Sequence, residues 1–150
     1  MTNKEIVDAL PYGKSFLFVD TIEEVSDTHI VGSYKFSEDS FFYSGHFINH
    51  PVTPGVILTE CMAQIGLVCH GMFLLSAQGK TIQKGTKLAM VENEVLFKKT
   101  VYPGEKVVVK SIKQYFRMQK LKSKVIMLNE VGDEVCSGTL SGILIPENDE

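Results

Sequence analysis

The stretch from Val56 to Leu75 constrains this chain more than any other. It is apolar on nearly every side, yet it contains Glu60, Gln64 and His70. A helix without a broad polar face must be covered all round, by lipid or by protein. Its length suits a bilayer, whose hydrocarbon takes about 20 residues. An ionised Glu in mid-membrane is costly, so a helix buried in the protein's own core is expected instead. Pro54-Gly55 suits the start, because the missing proline N–H costs nothing in a first turn. The helix is expected to run to about Ser76, with Gly79 helping to end it.

The flanks read as strands. Phe16 to Glu23 and His29 to Phe36 precede the helix, around a turn at Ser26-Asp27, and Ser37 to Thr53 forms a loop. After it come Lys87 to Phe97, Lys106 to Phe116, Leu121 to Asn129 and Val135 to Ile145, punctuated by Pro103-Gly104 and Gly132-Asp133. A short helix capped by Thr2 or Asn3 should run to about Ala9. Strands that follow one another without intervening helices favour an antiparallel sheet. One buried helix and about six strands imply an α+β chain, a curved antiparallel sheet wrapped around the long helix, the hot-dog fold. The 150 residues suit a single domain over 1–150, with Pro146 to Glu150 as a frayed acidic end.

Composition closes off other functions. The net charge is −3 with Lys and Arg dispersed, which argues against electrostatic nucleic-acid binding and a polybasic membrane anchor. Cys61, Cys69 and Cys136 are odd in number and show no CxxC spacing, so neither a disulfide framework nor a zinc site is expected. Free buried thiols in a reducing cytoplasm fit better, and the N-terminus lacks a secretory pattern.

The chemistry gathers in Gly45-His-Phe-Ile-Asn-His-Pro-Val-Thr-Pro-Gly-Val-Ile-Leu-Thr-Glu60. A histidine sits just before a helix, and a carboxyl lies less than two turns inside it. The helix start offers backbone N–H groups without intrahelical partners. Together they suit β-elimination of water next to a thioester. Neutral His46 would remove a proton, and the Gly55 amide would hold the developing oxyanion. Glu60, its pKa raised among apolar neighbours, would protonate the leaving hydroxyl. A loop histidine alone is more often structural. A Glu in an apolar helix is harder to explain that way, because an unpaired buried carboxylate is costly.

Gln64 shares a helix face with Glu60 and could orient its carboxyl or cap a buried carbonyl. His70 reads as a satisfied interior histidine, His29 as exposed, and His50 as a loop hydrogen-bonding residue, with a ligand contact as the other reading. Phe41, Phe42 and Tyr43 read as packing, with the wall of an apolar ligand site as the other reading. Gly66 and Gly71 should allow the sheet close to the helix, and Met62 and Met72 should fill core. Lys98, Lys99, Lys110 and Lys113 suit either an acidic protein partner or a solvated face.

Three blocks in order carry a resemblance. Gly45-His46-Phe47, Pro51-Val52, Pro54-Gly55-Val56, Glu60 and Ala63-Gln64 resemble the signature of the (3R)-hydroxyacyl-[acyl carrier protein] dehydratases. Leu10-Pro11 with Phe16 to Asp20 resembles that family's opening motif, and Phe97-Lys98, Val101 and Pro103-Gly104-Glu105 its motif after the helix. The resemblance spans about residues 10 to 145. It implies a hot-dog dimer with sheets side by side, often a trimer of dimers. It implies an active site shared between His46 of one chain and Glu60 of the other, with Gly55, Phe47 and Gln64 toward oxyanion and substrate. It also implies acyl carrier protein as partner, an apolar acyl tunnel, and neither metal nor organic cofactor. Glu rather than Asp at position 60 favours dehydration without isomerisation.

Departures stand at Ile48, where the family usually has Pro, and at Thr53, where it usually has Met. A basic residue is common at His50, His-Arg at Tyr12-Gly13, an apolar residue at Glu92 and Asp at Asn93. They bear on substrate shape, and a polyketide or aryl polyene pathway stands beside fatty acid synthesis. A hot-dog thioesterase and a non-catalytic partner subunit are the rival functions.

Overall fold

The computed structural model describes residues 1–82 and 84–145, and the acidic end from Pro146 lies outside them. Six strands form one sheet: β1 (Thr21–Val25), β2 (His29–Lys35), β3 (Lys87–Phe97), β4 (Lys106–Arg117), β5 (Lys120–Asn129) and β6 (Glu134–Ile145). Their spatial order is β1-β2-β4-β5-β6-β3, and every pairing is antiparallel. The segment between β2 and β3 therefore carries the chain from one half of the sheet to its far edge. Register shifts in β1, β3, β4 and at Met127/Leu128 put bulges in the sheet, which bend strands and raise local twist.

The crossing element is the long helix Gly55–Ala77, mostly buried inside the fold. It comprises α2 (Gly55–Ala63), a π-helical segment (Gln64–Cys69) and α3 (His70–Ala77). All six π-segment residues are buried. Its apolar surround is thus satisfied by sheet and loops. Close approach explains its glycines: a Cβ on Gly66 would stand 2.9 Å from Ser111 Oγ, and one on Gly71 2.0 Å from Leu144 Cδ1. Met62 and Met72 fill the core, and the three cysteines are buried and unbridged.

The N-terminal helix α1 (Asn3–Asp8) starts on a capping box between Thr2 and Glu5. The expected strand Phe16 to Glu23 is corrected. Lys14–Phe16 is a 3-10 turn, and pairing begins only at Thr21. The physical reason is that the Phe18 amide and Phe16 carbonyl bond to Gln64 instead of to a neighbouring strand. Between β4 and β5, Met118 and Gln119 both take positive φ, the backbone of a two-residue hairpin turn.

Candidate active site

The loop from Phe41 to Pro54 delivers His46 to the mouth of the central helix. A second 3-10 turn, Phe41–Ser44, precedes it. His46 is bracketed by Val52: the Val52 amide donates to the His46 carbonyl at 2.8 Å, and His46 Nδ1 bonds the Val52 carbonyl at 2.9 Å. A carbonyl only accepts, so Nδ1 carries the hydrogen. In the neutral ring Nε2 is then left with its lone pair, as a base requires. The Phe47 ring stacks on the imidazole at 4.2 Å between centroids and is 56% exposed, leaving it open to a ligand. A tight turn returns the chain, with Phe47 and His50 exchanging backbone hydrogen bonds of 2.9 and 3.0 Å. The His50 side chain is exposed.

At the helix start, the Gly55 amide finds no acceptor among the described residues, whereas the Ile57 and Leu58 amides return to the Pro54 carbonyl. A free amide at this end carries the positive side of the helix dipole. A Cβ on Gly55 would lie 3.2 Å from Phe97 Cε1, so the ring covers that corner and would have to give by a few tenths of an ångström for any side chain there.

Glu60 lies on the next turn, half-buried. Burial holds its carboxyl above the usual 4.5, and a hydrogen bond from Gln64 opposes that shift. Gln64 is fully buried and does both things its position allowed. Its Nε2 donates to Glu60 Oε2 at 2.9 Å and to the Phe16 carbonyl at 2.9 Å, while Oε1 accepts from the Phe18 amide at 2.8 Å. The amide thus occupies one carboxyl oxygen and leaves the other for a ligand. Tyr12 is half-buried nearby. Its phenol is pushed up by burial first, then by the charge of Glu60.

Within one chain, His46 and Glu60 are hydrogen-bonded to different groups, not to each other. Gln64 is joined to Glu60, and Phe47 to His46. The sequence left Tyr43 as a packing or tunnel residue and missed its hydroxyl, which meets Thr53 Oγ1 at 2.6 Å in a buried contact. Ten positions apart in a loop, the two residues carry no spacing signal that could have found the contact.

The remaining candidates stand aside. His70 is fully buried and donates Nε2–H to the Ser26 carbonyl at 2.8 Å, but its Nδ1 has no partner among the described residues. It is a core histidine only half satisfied. His29 is half-buried rather than exposed, 2.9 Å from both Ser26 Oγ and Glu24 Oε1. Lys98, Lys99 and Lys113 pair with Glu134, Asp133 and Asp27 of the same chain, which weakens their reading as a docking face.

A sheet wrapped around a helix, with an oriented imidazole, a free helix-start amide and a carboxyl held above its usual pKa, defines the acid–base type of hot-dog protein. The FabA-like domain family matches residues 10–137, and the chain belongs to this family of 3-hydroxyacyl-[acyl-carrier-protein] dehydratases. A FabZ dehydratase of that name from Streptococcus uberis is 39% identical over 108 residues, covering 71% of each chain. One from Hydrogenobaculum sp. is 32% identical over 130 residues, covering 85% of each. Among solved structures, the dehydratase heterocomplex ApeI:P from Xenorhabdus doucetiae aligns over 95% of this chain and 93% of that one, with a TM-score of 0.79 at 15% identity. A hypothetical thioesterase with coenzyme A from Streptococcus pneumoniae aligns over 84% and 85%, with a TM-score of 0.59 at 17% identity. These two share the fold.

Proposed function

We propose that this dehydratase converts (3R)-3-hydroxyacyl-[acyl carrier protein] to the trans-2-enoyl thioester, with His46 as base and Glu60 as acid. His46 Nε2 takes the proton from C2, next to the thioester carbonyl. Charge building on the carbonyl oxygen is held by the Gly55 N–H, an amide with no other partner among the described residues. The electron pair forms the C2–C3 double bond, and the C3 hydroxyl leaves with the proton of Glu60 as water. Deprotonating Glu60 and protonating His46 balances the step, and proton exchange with solvent resets both groups.

The observation that carries this reading is the Glu60–Gln64 pair. A carboxyl half-buried on an apolar helix is held above its usual pKa, with one oxygen engaged and the other open. That is what an acid near neutral pH needs. The scheme uses neither metal nor organic cofactor. The acyl group rides on the phosphopantetheine of acyl carrier protein, with Phe47 and Gln64 toward the substrate. The two groups belong to opposite protomers of a homodimer, itself a unit for a trimer of dimers. This assignment fits their separate partners within one chain. A cytoplasmic setting fits three buried, unbridged cysteines.

The test presents a 3-hydroxyacyl thioester on acyl carrier protein and follows enoyl formation. His46→Ala and Glu60→Gln should each lose nearly all turnover. Mixed after subunit exchange, they should regain about a quarter of wild-type activity, since half the dimers are mixed and each holds one intact site. No recovery would place both groups in one chain. Free thiol released without enoyl product would turn the assignment to a thioesterase.

A further inference from the structure

The Val52–Thr53 peptide is held on three sides. Its carbonyl accepts the Nδ1–H of His46 at 2.9 Å. Its N–H donates to the buried Val101 carbonyl, between β3 and β4, at 2.8 Å. The Thr53 side chain meets the Tyr43 hydroxyl at 2.6 Å, with both residues about 5% exposed. Tyr43 is itself anchored: its ring lies 4.6 Å from that of Phe42, and its amide donates to the Ser40 carbonyl at 3.2 Å. The pair thus clamps the turn before His46 to the residue that follows its carbonyl partner. Thr53 is also followed by Pro54, and Pro54 by the free amide of Gly55. A buried hydroxyl pair is either made or left unsatisfied, so it favours one arrangement over loosely related ones.

We propose that Tyr43 and Thr53 are positioning residues for His46. Their hydroxyl pair fixes the peptide whose carbonyl sets the tautomer and tilt of the imidazole. Neither hydroxyl needs to touch the substrate. The inference rests on His46 being the base. An imidazole that can rotate, or carry its hydrogen on Nε2, presents no lone pair to the C2 proton. Loss of the pair therefore lowers the fraction of correctly posed enzyme, and this appears in kcat rather than in KM.

The experiment compares Tyr43→Phe, Thr53→Val, the double variant and Thr53→Ser in the same enoyl-forming assay. Nitrogen NMR of the His46 ring is recorded beside it, with His46→Ala as control. Tyr43→Phe and Thr53→Val should each lower kcat roughly tenfold with KM nearly unchanged. The double variant should be no worse than the poorer single one, because the two hydroxyls act as one unit. Thr53→Ser, which keeps the hydroxyl, should recover most of the rate. The ring should show one tautomer in wild type and a mixture in the two deletions. Wild-type kcat in both deletions while His46→Ala is inactive overturns the positioning role alone. A fall in kcat with a single unchanged tautomer overturns it too, by assigning the loss to general loosening. Full turnover by His46→Ala overturns both this role and the assignment of the base.

Discussion

At the scale of single residues, the acid is set by two opposed effects on Glu60. Burial raises its pKa above 4.5, and the Gln64 amide lowers it. An acid must hold its proton, so turnover should fall as pH rises through that raised value. Gln64→Leu removes the lowering influence, and the falling limb of the pH–rate profile should move to higher pH. Plateau kcat should drop roughly tenfold as the carboxyl loses its orientation. The same change strips the Phe16 carbonyl and Phe18 amide of their partner, at about 1–3 kcal/mol for an unsatisfied buried group. A limb that moves to lower pH would contradict the role given to Gln64. Stability follows the same group. The folded state keeps the Glu60 proton to higher pH than the unfolded chain does. Its stabilising contribution is therefore full below 4.5 and is lost as pH climbs through the folded pKa. Glu60→Gln should flatten that part of a stability–pH curve measured by urea unfolding.

At the scale of elements, two glycines with similarly short contacts should behave differently. A Cβ on Gly71 would meet the end of the Leu144 side chain at 2.0 Å, and a side-chain tip can rotate away. A Cβ on Gly138 would meet the backbone oxygen of Glu94 at 1.9 Å, and β3 would have to leave β6. Gly138→Ala should cost more than Gly71→Ala, in the upper part of the roughly 1–3 kcal/mol range for overpacking or beyond it. Thermal unfolding of the two variants ranks them, and the reverse order would show that the helix yields less than the sheet edge. The elements themselves were largely legible. β3 has the expected bounds, because Lys87 to Phe97 is one apolar-rich run closed by basic residues. The central helix was legible from its apolar surround, but its π-helical middle was not, since nothing in Gln64 to Cys69 distinguishes i→i+4 from i→i+5 bonding. The misread strand at Phe16 has a similar cause. Its aromatic, branched composition suits a sheet, and what holds it is a glutamine 46 residues on from Phe18. In the site, His46, Gly55, Glu60 and Gln64 were visible as local spacing. The Tyr43–Thr53 contact was not, because hydroxyl residues ten positions apart carry no periodic signal.

At the scale of the whole molecule, β3 is the last strand of the sheet among the described residues. Among the described residues its one strand partner is β6, and Met90, Val91, Leu96 and Phe97 are exposed along it. An uncovered apolar edge of this kind invites pairing with another chain, and natural proteins seldom leave one bare. In the homodimer proposed above, a second protomer laid along β3 would continue the sheet. Phe97, against Gly55, links this edge to the helix mouth, so edge and site are built from adjoining surfaces. The register with β6 places Glu92, Glu94 and Leu96 opposite Ser141, Thr139 and Ser137, hence on one face. In an isologous pairing each protomer brings the same face to the seam, and like charges placed across it repel. Leu96→Glu adds a third carboxylate and removes an apolar contact, so it should shift dimer to monomer. Sedimentation at falling protein concentration reads the shift directly. If the active site is shared across β3, specific activity of Leu96→Glu should fall on dilution in step with the dimer and return on concentration, while wild type stays level. A variant that stays dimeric would move the seam off β3. One that turns monomeric at full specific activity would put His46 and Glu60 to work within a single chain.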